Sequence, residues 1–555
     1  MGKGPLGEEI IESDVLCIGG GIAGLMAAIR ASELGAKVVV AEKGNALFSG
    51  RGRSGNDHFW CYIPEVHGPD MESFLKECMK GPKLRVMQSG TSTKVLRTFL
   101  ERSFDIVKLW DGWGIPMKYQ GRWEFAGHSF PGDVLTHLKY EGRRQKRVLT
   151  EKALEKGAKI INRVMVFDLL RGKDGMIGAI GIHTREDKVV LFQAKTIILG
   201  TGALDRLYPS PVPGWMASIP GCLTLTGDGR AMIYRVGGDI VSPEIPKRHM
   251  GPRYFARFGQ ATWIGVLREP HGKPIGPYVT KPDRKYGDMT PEVKSIIFED
   301  YMKSGRGPVY MDCRGISNDD YEYMMHGFVD EGLTSFANYL NEEGVDLRKN
   351  PVEFGTYHII PEGKIWINEK GETSIQGLYA AGDESMGSIG PAATYGWIAG
   401  ESAAIYAREA PAPDIEKARA EIEESKDMVQ GMSRRTGGPD WREANIALQQ
   451  IMQDYAGAVR SETLMTAGLS YLRRLKRNVT NGIGARNQWE VIRCLETINL
   501  LDLGEILFLS ANERRETRGL HHRPDYPLTD PMLDGKALFV RQVDRKPVME
   551  WRTIE

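Results

Sequence analysis

The chain has 555 residues, a net charge of +1 at neutral pH and 26% charged residues. That length holds two to four domains, and the even charge balance gives no bulk electrostatic case for nucleic acid or an anionic membrane as partner. No apolar run reaches membrane-spanning length, and the first apolar stretch follows Glu8, Glu9, Glu12 and Asp14 rather than a basic start, so we expect a cytoplasmic protein with no secretory signal and no direct membrane insertion.

Ser13 to Lys43 reads as strand, tight turn, helix and second strand. Asp14 to Ile18 is a short apolar strand, Ala23 to Leu34 an Ala- and Leu-rich helix closed by Gly35, and Lys37 to Ala41 a Val-rich strand ending at Glu42. Gly19, Gly21 and Gly24 stand in G-x-G-x-x-G spacing where the first strand ends. Gly19 permits the tight turn, Gly21 lets a pyrophosphate approach the backbone, and Gly24 lets the helix pack on the strand. The N–H groups of the helix N-terminus are then placed to hold phosphates. Glu42 lies roughly 20 residues on, where a carboxylate accepts hydrogen bonds from a ribose diol.

Phe48 to Trp60 is too rich in Gly and Ser for a regular element, and its small residues let backbone approach a large planar ligand. Arg51 and Arg53 are placed there to face anionic groups. Met71 to Trp113 reads as helices, Lys159 to Val164 and Met176 to His183 as strands of a small sheet, and Thr196 to Leu199 as a strand running into Gly200-Thr201-Gly202. Thr226 to Gly229 opens a helix through Arg235, with Asp228 as its expected cap. From Gly238 onward the composition shifts to Pro, Arg, Tyr and Trp without βαβ rhythm. The chain returns at Gly377 to Asp383 as a strand closing on a Gly-Asp turn, followed by a helix over Ala399 to Ala407. Beyond Pro411 and Pro413 the periodicity is helical. The expected organisation is α/β: a Rossmann-like dinucleotide-binding domain in two parts (10–237 and 355–410), an inserted α+β capping domain (238–354) and a C-terminal helical domain (411–555). The six cysteines form no C-x-x-C pair, which argues against an iron–sulfur or zinc site built by this chain alone, and no metal site is expected.

Four pieces in order carry a family resemblance: Gly19-x-Gly21-x-x-Gly24 with Glu42, Thr226-Gly-Asp-Gly229, Gly377 to Asp383, and Glu516-Thr-Arg518-Gly-Leu-His521-His-Arg523-Pro-Asp525-Tyr-Pro527. Together they resemble the flavoprotein subunit of the succinate dehydrogenase/fumarate reductase superfamily, which includes L-aspartate oxidase and the adenylylsulfate (APS) reductase alpha subunit. The resemblance covers nearly the whole chain. Ser49 to Gly55 and Ser304 to Asp312 resemble the APS reductase branch, where FAD is held noncovalently. Succinate dehydrogenases usually carry a flavin-linked His in the loop after the first βαβ unit; here Arg51 and Arg53 stand there, with His58 further on. The H-P-T tripeptide of succinate and fumarate enzymes is replaced by Ser242-Pro-Glu244-Ile-Pro.

The resemblance implies noncovalent FAD held by Gly19, Gly21, Gly24, Glu42, Lys43, Arg53, Ser54, Gly55, Asn56, Gly200, Thr201, Gly202, Asp228, Gly382 and Asp383. It implies a small anionic substrate between the FAD domain and the cap, together with a ferredoxin-like iron–sulfur partner subunit. Arg306 and His358 are the candidate catalytic residues, as an anion-binding fork and a carboxylate or oxyanion donor. Arg248, His249, Arg253 and Arg257 form a basic cluster in the cap, either a solvated face or a substrate contact, and His128 is a further candidate. Trp60, Trp215 and Trp263 are expected in the core, and Arg518, His521 and Arg523 are expected to fix the helical domain against the FAD domain. The expected function is an FAD-dependent oxidoreductase of APS-reductase-like type. The alternatives are a fumarate- or enoate-type reductase and a flavoprotein that only relays electrons.

Overall fold

The computed structural model describes residues 6–53, 55–80, 90–125, 134–173, 175–210, 216, 222–253, 263–276, 279–284, 297–331, 333–361 and 363–554, without the side chains of 247–249, 357, 358 and 360. The chain opens with β1 (Gly7–Ile18), α1 (Ile22–Glu33) and β2 (Val38–Glu42). Next come β3 (His58–Trp60), α2 (Thr93–Gly112), β4 (His137–Lys139), α3 (Gln145–Glu155) and β5 (Lys159–Asn162). A meander of β6 (Val164–Gly172), β7 (Gly175–His183) and β8 (Lys188–Leu199) leads to α4 (Asp228–Arg235). The middle of the chain supplies β9 (Ile240–Val241), β10 (Pro246–Pro252), β11 (Val266–Arg268), β12 (Val309–Asp312), α5 (Asn318–Asp330), β13 (Val352–Pro361) and β14 (Lys364–Ile365). Then follow β15 (Leu378–Ala380), α6 (Ile389–Glu409), α7 (Arg419–Arg434), α8 (Trp441–Tyr455), α9 (Glu462–Gly482) and α10 (Gln488–Glu513). The hairpin β16 (Lys536–Val543) and β17 (Lys546–Thr553) comes last.

The main sheet runs β5-β2-β1-β8-β7-β6, with β15 also on β8. Strands β5, β2, β1, β8 and β15 are parallel, and β8, β7 and β6 form an antiparallel meander. Strand β1 begins seven residues before the apolar run that announces it. Its polar first half is held by ladder pairing, Gly7 to Lys188 through Ser13 to Ala194, which side-chain hydropathy does not report. Helices α1 and α6 pack backbone to backbone. A Cβ on Gly396 or Gly400 of α6 would lie inside the contact radius of the Ala23 or Ala27 carbonyl oxygen.

A second, antiparallel sheet, β10-β13-β12-β11, has its own apolar cluster around Trp263, which packs 4.8 Å from the Phe328 ring and 4.9 Å from Phe354. Trp60 is buried in the main core, and Trp215 lies outside the described residues. The C-terminal region departs from the all-helical expectation. Its last hairpin pairs with β9 in a third sheet, β14-β9-β16-β17. The turn residues Asp544 and Arg545 both have positive φ, +49° and +60°, so a left-handed turn is made without the glycine that would have marked it in the sequence. Among the described residues no helix is long and apolar enough to cross a membrane.

The C-terminal motif also differs from its expected role. Arg523 pairs with Asp525 at 2.8 Å, and Arg518 pairs with Glu516 and Asp534, so both brace the C-terminal segment itself. The tie to the middle of the chain is made by Arg514, 2.7 Å from Glu244, and by Arg460, which donates to the Glu244 carbonyl and bonds His521.

Candidate active site

Three parallel strands, β1, β8 and β15, end side by side, and their carboxyl ends open on one cavity, the usual ligand position of an open α/β sheet. At the end of β1, Gly19 has φ +102° and faces the Gly200 carbonyl, while a Cβ on Gly24 would run into the Gly19 carbonyl oxygen. Gly21 precedes α1 with no side-chain cap, and the first turn of that helix has no acidic residue, so its N–H groups and partial positive charge are directed at the cavity. Glu42, at the end of β2, is buried. Its Oε2 accepts from the Gly20 N–H at 2.7 Å and its Oε1 from the Gly44 N–H at 2.6 Å, which fixes the turn and keeps the carboxylate at the cavity wall.

At the end of β8, Thr201 Oγ1 accepts from the Gly229 N–H at 2.9 Å and donates to Glu384, so the strand ends of β8 and β15 and the start of α4 are joined at one hydroxyl. Gly200, Thr201 and Gly202 line the cavity, as do Gly382 and Asp383 after β15. Burial pushes the Glu384 carboxyl up to about 7, against the pull of Arg230. Lys146 on α3 donates to the Gly20 carbonyl from below the turn, and burial lowers its ammonium to about 8.

Asp228 is the first residue of α4 rather than its cap; Gly227, in the left-handed region, holds the cap position. The Asp228 carboxylate is instead bonded by Thr226, Asn499 and Lys43. Lys43 also reaches the Thr224 carbonyl and Glu496 of α10, at 2.7 and 2.9 Å. Although burial opposes charge there, Arg493, Lys43 and Arg206 hold the Glu496 carboxyl at about 2. Lys43 and Asp228 thus line the cavity and anchor the C-terminal helices to it.

In the loop before β3 the two arginines diverge. Arg51 lines the cavity and is paired with the buried Asp205, with Nε 3.1 Å from Oδ2. Arg53 is exposed, donates to Cys222 and is not among the lining residues, because the short turn Arg51–Arg53 sends the two side chains apart. Gly55 and Asn56 line the cavity, and Ser54 lies outside the described residues. Asn56 Oδ1 accepts from the His58 N–H at 2.9 Å.

Arg306 is not brought to this cavity. Its N–H and that of Gly307 both bond the Tyr301 carbonyl, which folds the loop back on its own helix. The guanidinium lies 4.2 Å from the Tyr301 ring centroid and donates to Ser304 Oγ. The backbone of His358 stands in β13 directly opposite His249 of β10, and Arg248 lies opposite Ile359. The side chains of Arg248, His249 and His358, and all of His128 and Arg257, lie outside the described residues. Arg253 pairs with Glu353 at 2.9 Å.

Glu331 and Leu333, just beyond α5, line the same cavity as Asn56 and His58, and Glu331 Oε1 lies 3.1 Å from His58 Nδ1. Sequence reasoning misses most of this corner; the run Asn56-Asp57-His58 before a Trp-bearing strand is its one visible mark. A cradle of glycine turns, an uncapped 12-residue helix and a terminal carboxylate fits the pyrophosphate and ribose of a dinucleotide, with Val164 to Val166 as an apolar wall.

The family model described as FAD binding domain matches residues 14–396, and one described as fumarate reductase flavoprotein C-term matches residues 445–555. The chain belongs to the FAD-binding flavoproteins of the succinate dehydrogenase/fumarate reductase superfamily. FAD is its cofactor, and it is an oxidoreductase. Among curated relatives, the first subunit of the fumarate reductase (CoM/CoB) of Methanothermobacter marburgensis is 24% identical, over 97% of this chain and 98% of that protein. Adenylylsulfate reductase of Archaeoglobus fulgidus superimposes with a TM-score of 0.85 at 20% identity, covering 99% of this chain and 97% of the other. Quinol fumarate reductase of E. coli superimposes with a TM-score of 0.82 at 19% identity, over 98% and 97%. When bound, FAD supplies the carrier of the electron pair. Of this chain's own residues, the glycine turns at Gly19, Gly200 and Gly382, the start of α1 and the Glu42 carboxylate would hold its phosphates and ribose.

Proposed function

We propose that this chain is the catalytic flavoprotein subunit of an oxidoreductase that passes electrons between an iron–sulfur partner and a small anionic substrate, in the manner of adenylylsulfate reductase, with FAD held noncovalently. The observation that carries the reading is the continuity of one cavity. Its near end is a backbone cradle, and its far end is walled by polar side chains from two units, Asn56 and His58 from the FAD side and Glu331 from the capping side (238–354 in this reading). A pure electron relay has no use for such a polar end wall at the flavin. The absence of paired cysteines in the sequence supports a separate iron–sulfur subunit. His358, whose backbone stands in β13, is the candidate for holding the substrate anion.

A second reading keeps the cofactor and changes the acceptor to a fumarate-like enoate. It is favoured by the full-length match to the Methanothermobacter fumarate reductase (CoM/CoB) chain. The test is anaerobic. The FAD-loaded chain is reduced with dithionite, then mixed with APS, fumarate and a series of enoates while the return of oxidised flavin absorbance is followed. Reoxidation by APS with release of sulfite supports the first reading, and reoxidation by fumarate or one enoate replaces it with the second. No reoxidation except by a ferredoxin or quinone analogue would leave only the relay. Acid precipitation should release all the flavin into solution; flavin retained in the pellet would refute noncovalent binding.

A further inference from the structure

The far wall of the cavity carries more titratable chemistry than holding FAD requires. His58 lines the cavity, and its Nδ1 lies 2.8 Å from Asp57 Oδ1 and 3.1 Å from Glu331 Oε1. Asp57 is fully buried, and its Oδ2 accepts from the Lys139 ammonium at 2.8 Å. Lys139, also buried, lies 3.9 Å from Asp330 Oδ2. The same oxygen of Asp330 lies 3.1 Å from Nε2 of His326, whose side chain is 41% exposed.

The fold builds this line from three short pieces. His58 opens β3 and pairs in register with Lys139 at the end of β4, while His326 and Asp330 are four residues apart on α5 and so share one face. The line therefore crosses the seam between the FAD side and the capping side. The other charged or titratable groups close to it are Glu331, Glu141, Arg143 (3.8 Å from Asp330), His137, whose ring centroid lies 5.4 Å from that of His58, Tyr140 beside Asp57, Tyr119 beside His326, and Tyr323, whose ring lies 5.0 Å from the Lys139 ammonium and carries Arg284 on it.

We propose that His58 gives the substrate the proton that accompanies the electron pair, and that Asp57, Lys139, Asp330 and His326 recharge it from solvent. The proposal rests on the substrate reduction assigned above. For each turnover one proton leaves the His58 imidazolium for the substrate. The imidazole then turns its vacated nitrogen to Asp57. One proton crosses each link, from His326 to Asp330, Asp330 to Lys139, Lys139 to Asp57 and Asp57 to His58, and water returns one to His326. Every group ends in its starting charge state. The electrons come from the iron–sulfur partner and do not pass through these side chains.

The electrostatics suit the task. Burial raises the Asp330 carboxyl to about 7, with Lys139 pulling against it, so this group takes and gives protons near neutrality. Burial and the Lys139 charge hold His326 below the ordinary histidine value, so it releases its proton readily. At Lys139 burial disfavours the ammonium, but Asp57, Asp330 and Glu331 more than offset this, so the transfer from Lys139 to Asp57 is the uphill link of the line. Asp57, His58 and Glu331 converge closely enough to surround a cation, yet the Lys139 ammonium already supplies the positive charge there.

The competing account is a static ion-pair cluster that only ties the cap to the FAD side. The test uses the full FAD-loaded chain and the variants H58Q, D330N and H326Q, all expected to keep wild-type flavin content. H58Q should slow substrate reoxidation of the reduced protein by about 10²- to 10⁴-fold, the usual range for losing a general acid, with partial rescue by added imidazole. D330N and H326Q should slow it by about tenfold and erase an inflection near pH 7. A wild-type rate and pH profile in H58Q, or H58Q inactivity that imidazole does not relieve, overturns the proposal. A second readout needs no substrate: ¹⁵N-imidazole NMR follows the titration of His58. D330N removes a negative charge from the line and should lower the His58 pKa measurably. A His58 titration indifferent to both D330N and H326Q breaks the relay. If the wild type is reoxidised by no compound in the series, the functional reading fails by itself, and the NMR titrations still decide whether the relay exists.

Discussion

The two ends of the cavity are built from different material. The phosphate end is backbone: glycine turns at three strand ends, a helix terminus and one carboxylate pinned by two N–H groups. The end proposed for the substrate is side chains, brought together from β3, β4 and α5 across more than two hundred positions of sequence. A backbone cradle constrains residue type locally, so it is rigid and recognisable. A side-chain wall constrains only what meets in space, so it is free to change with the substrate.

The sharpest way to break this contrast is at Gly24. A valine there would drive its Cβ into the Gly19 carbonyl, so Gly24→Val should leave a protein with no bound flavin and a collapsed yield of folded chain. Stoichiometric flavin in that variant, read from the visible flavin absorbance, would show that the turn is not the rigid element described. Next in size is Trp263→Ala. It empties the centre of the second sheet's own apolar cluster at a cost of about 3–5 kcal/mol. Limited proteolysis should become faster between residues 246 and 361 while flavin stays bound. Simultaneous loss of flavin would mean that the two ends do not stand independently.

The smallest effect is pH-linked. The Glu384 carboxyl is near 7 in the folded protein against 4.5 for an ordinary glutamate, so the folded state holds the extra proton between those values. The stabilising contribution is full below about 4.5 and is lost as pH rises through about 7. It is worth about 3 kcal/mol. In the flavin-free protein, thermal melting of the wild type should fall across that window relative to Glu384→Gln, and parallel curves would refute the assignment.

The legibility of the sequence follows the same division. The residues of the first βαβ unit, the Gly200 turn and the Gly382 turn were readable because each needs a particular residue type at a particular step along a strand. Arg306 lies away from the cavity because an arginine between glycines says nothing about whether its loop folds inward or back on the preceding turn, as it does here. Arg53 fared likewise beside Arg51, one residue of turn separating an inward guanidinium from an outward one. Lys139, Asp330 and Glu331 carry no local signature at all; only the pairing of β3 with β4 and the seating of α5 give them meaning. The final hairpin escaped for a related reason, its left-handed turn being made by Asp544 and Arg545.

That hairpin has a consequence for how the molecule is made. Strands β9 and β14 pair with each other just before and just after the segment 246–361 that forms the second sheet, so together they are its neck. Strand β16 adds to the other side of β9. On the ribosome the neck emerges long before its outer partner, and it is held by two residue pairs until β16 follows. A nascent chain stalled before residue 536 would therefore lack the strand that flanks this neck.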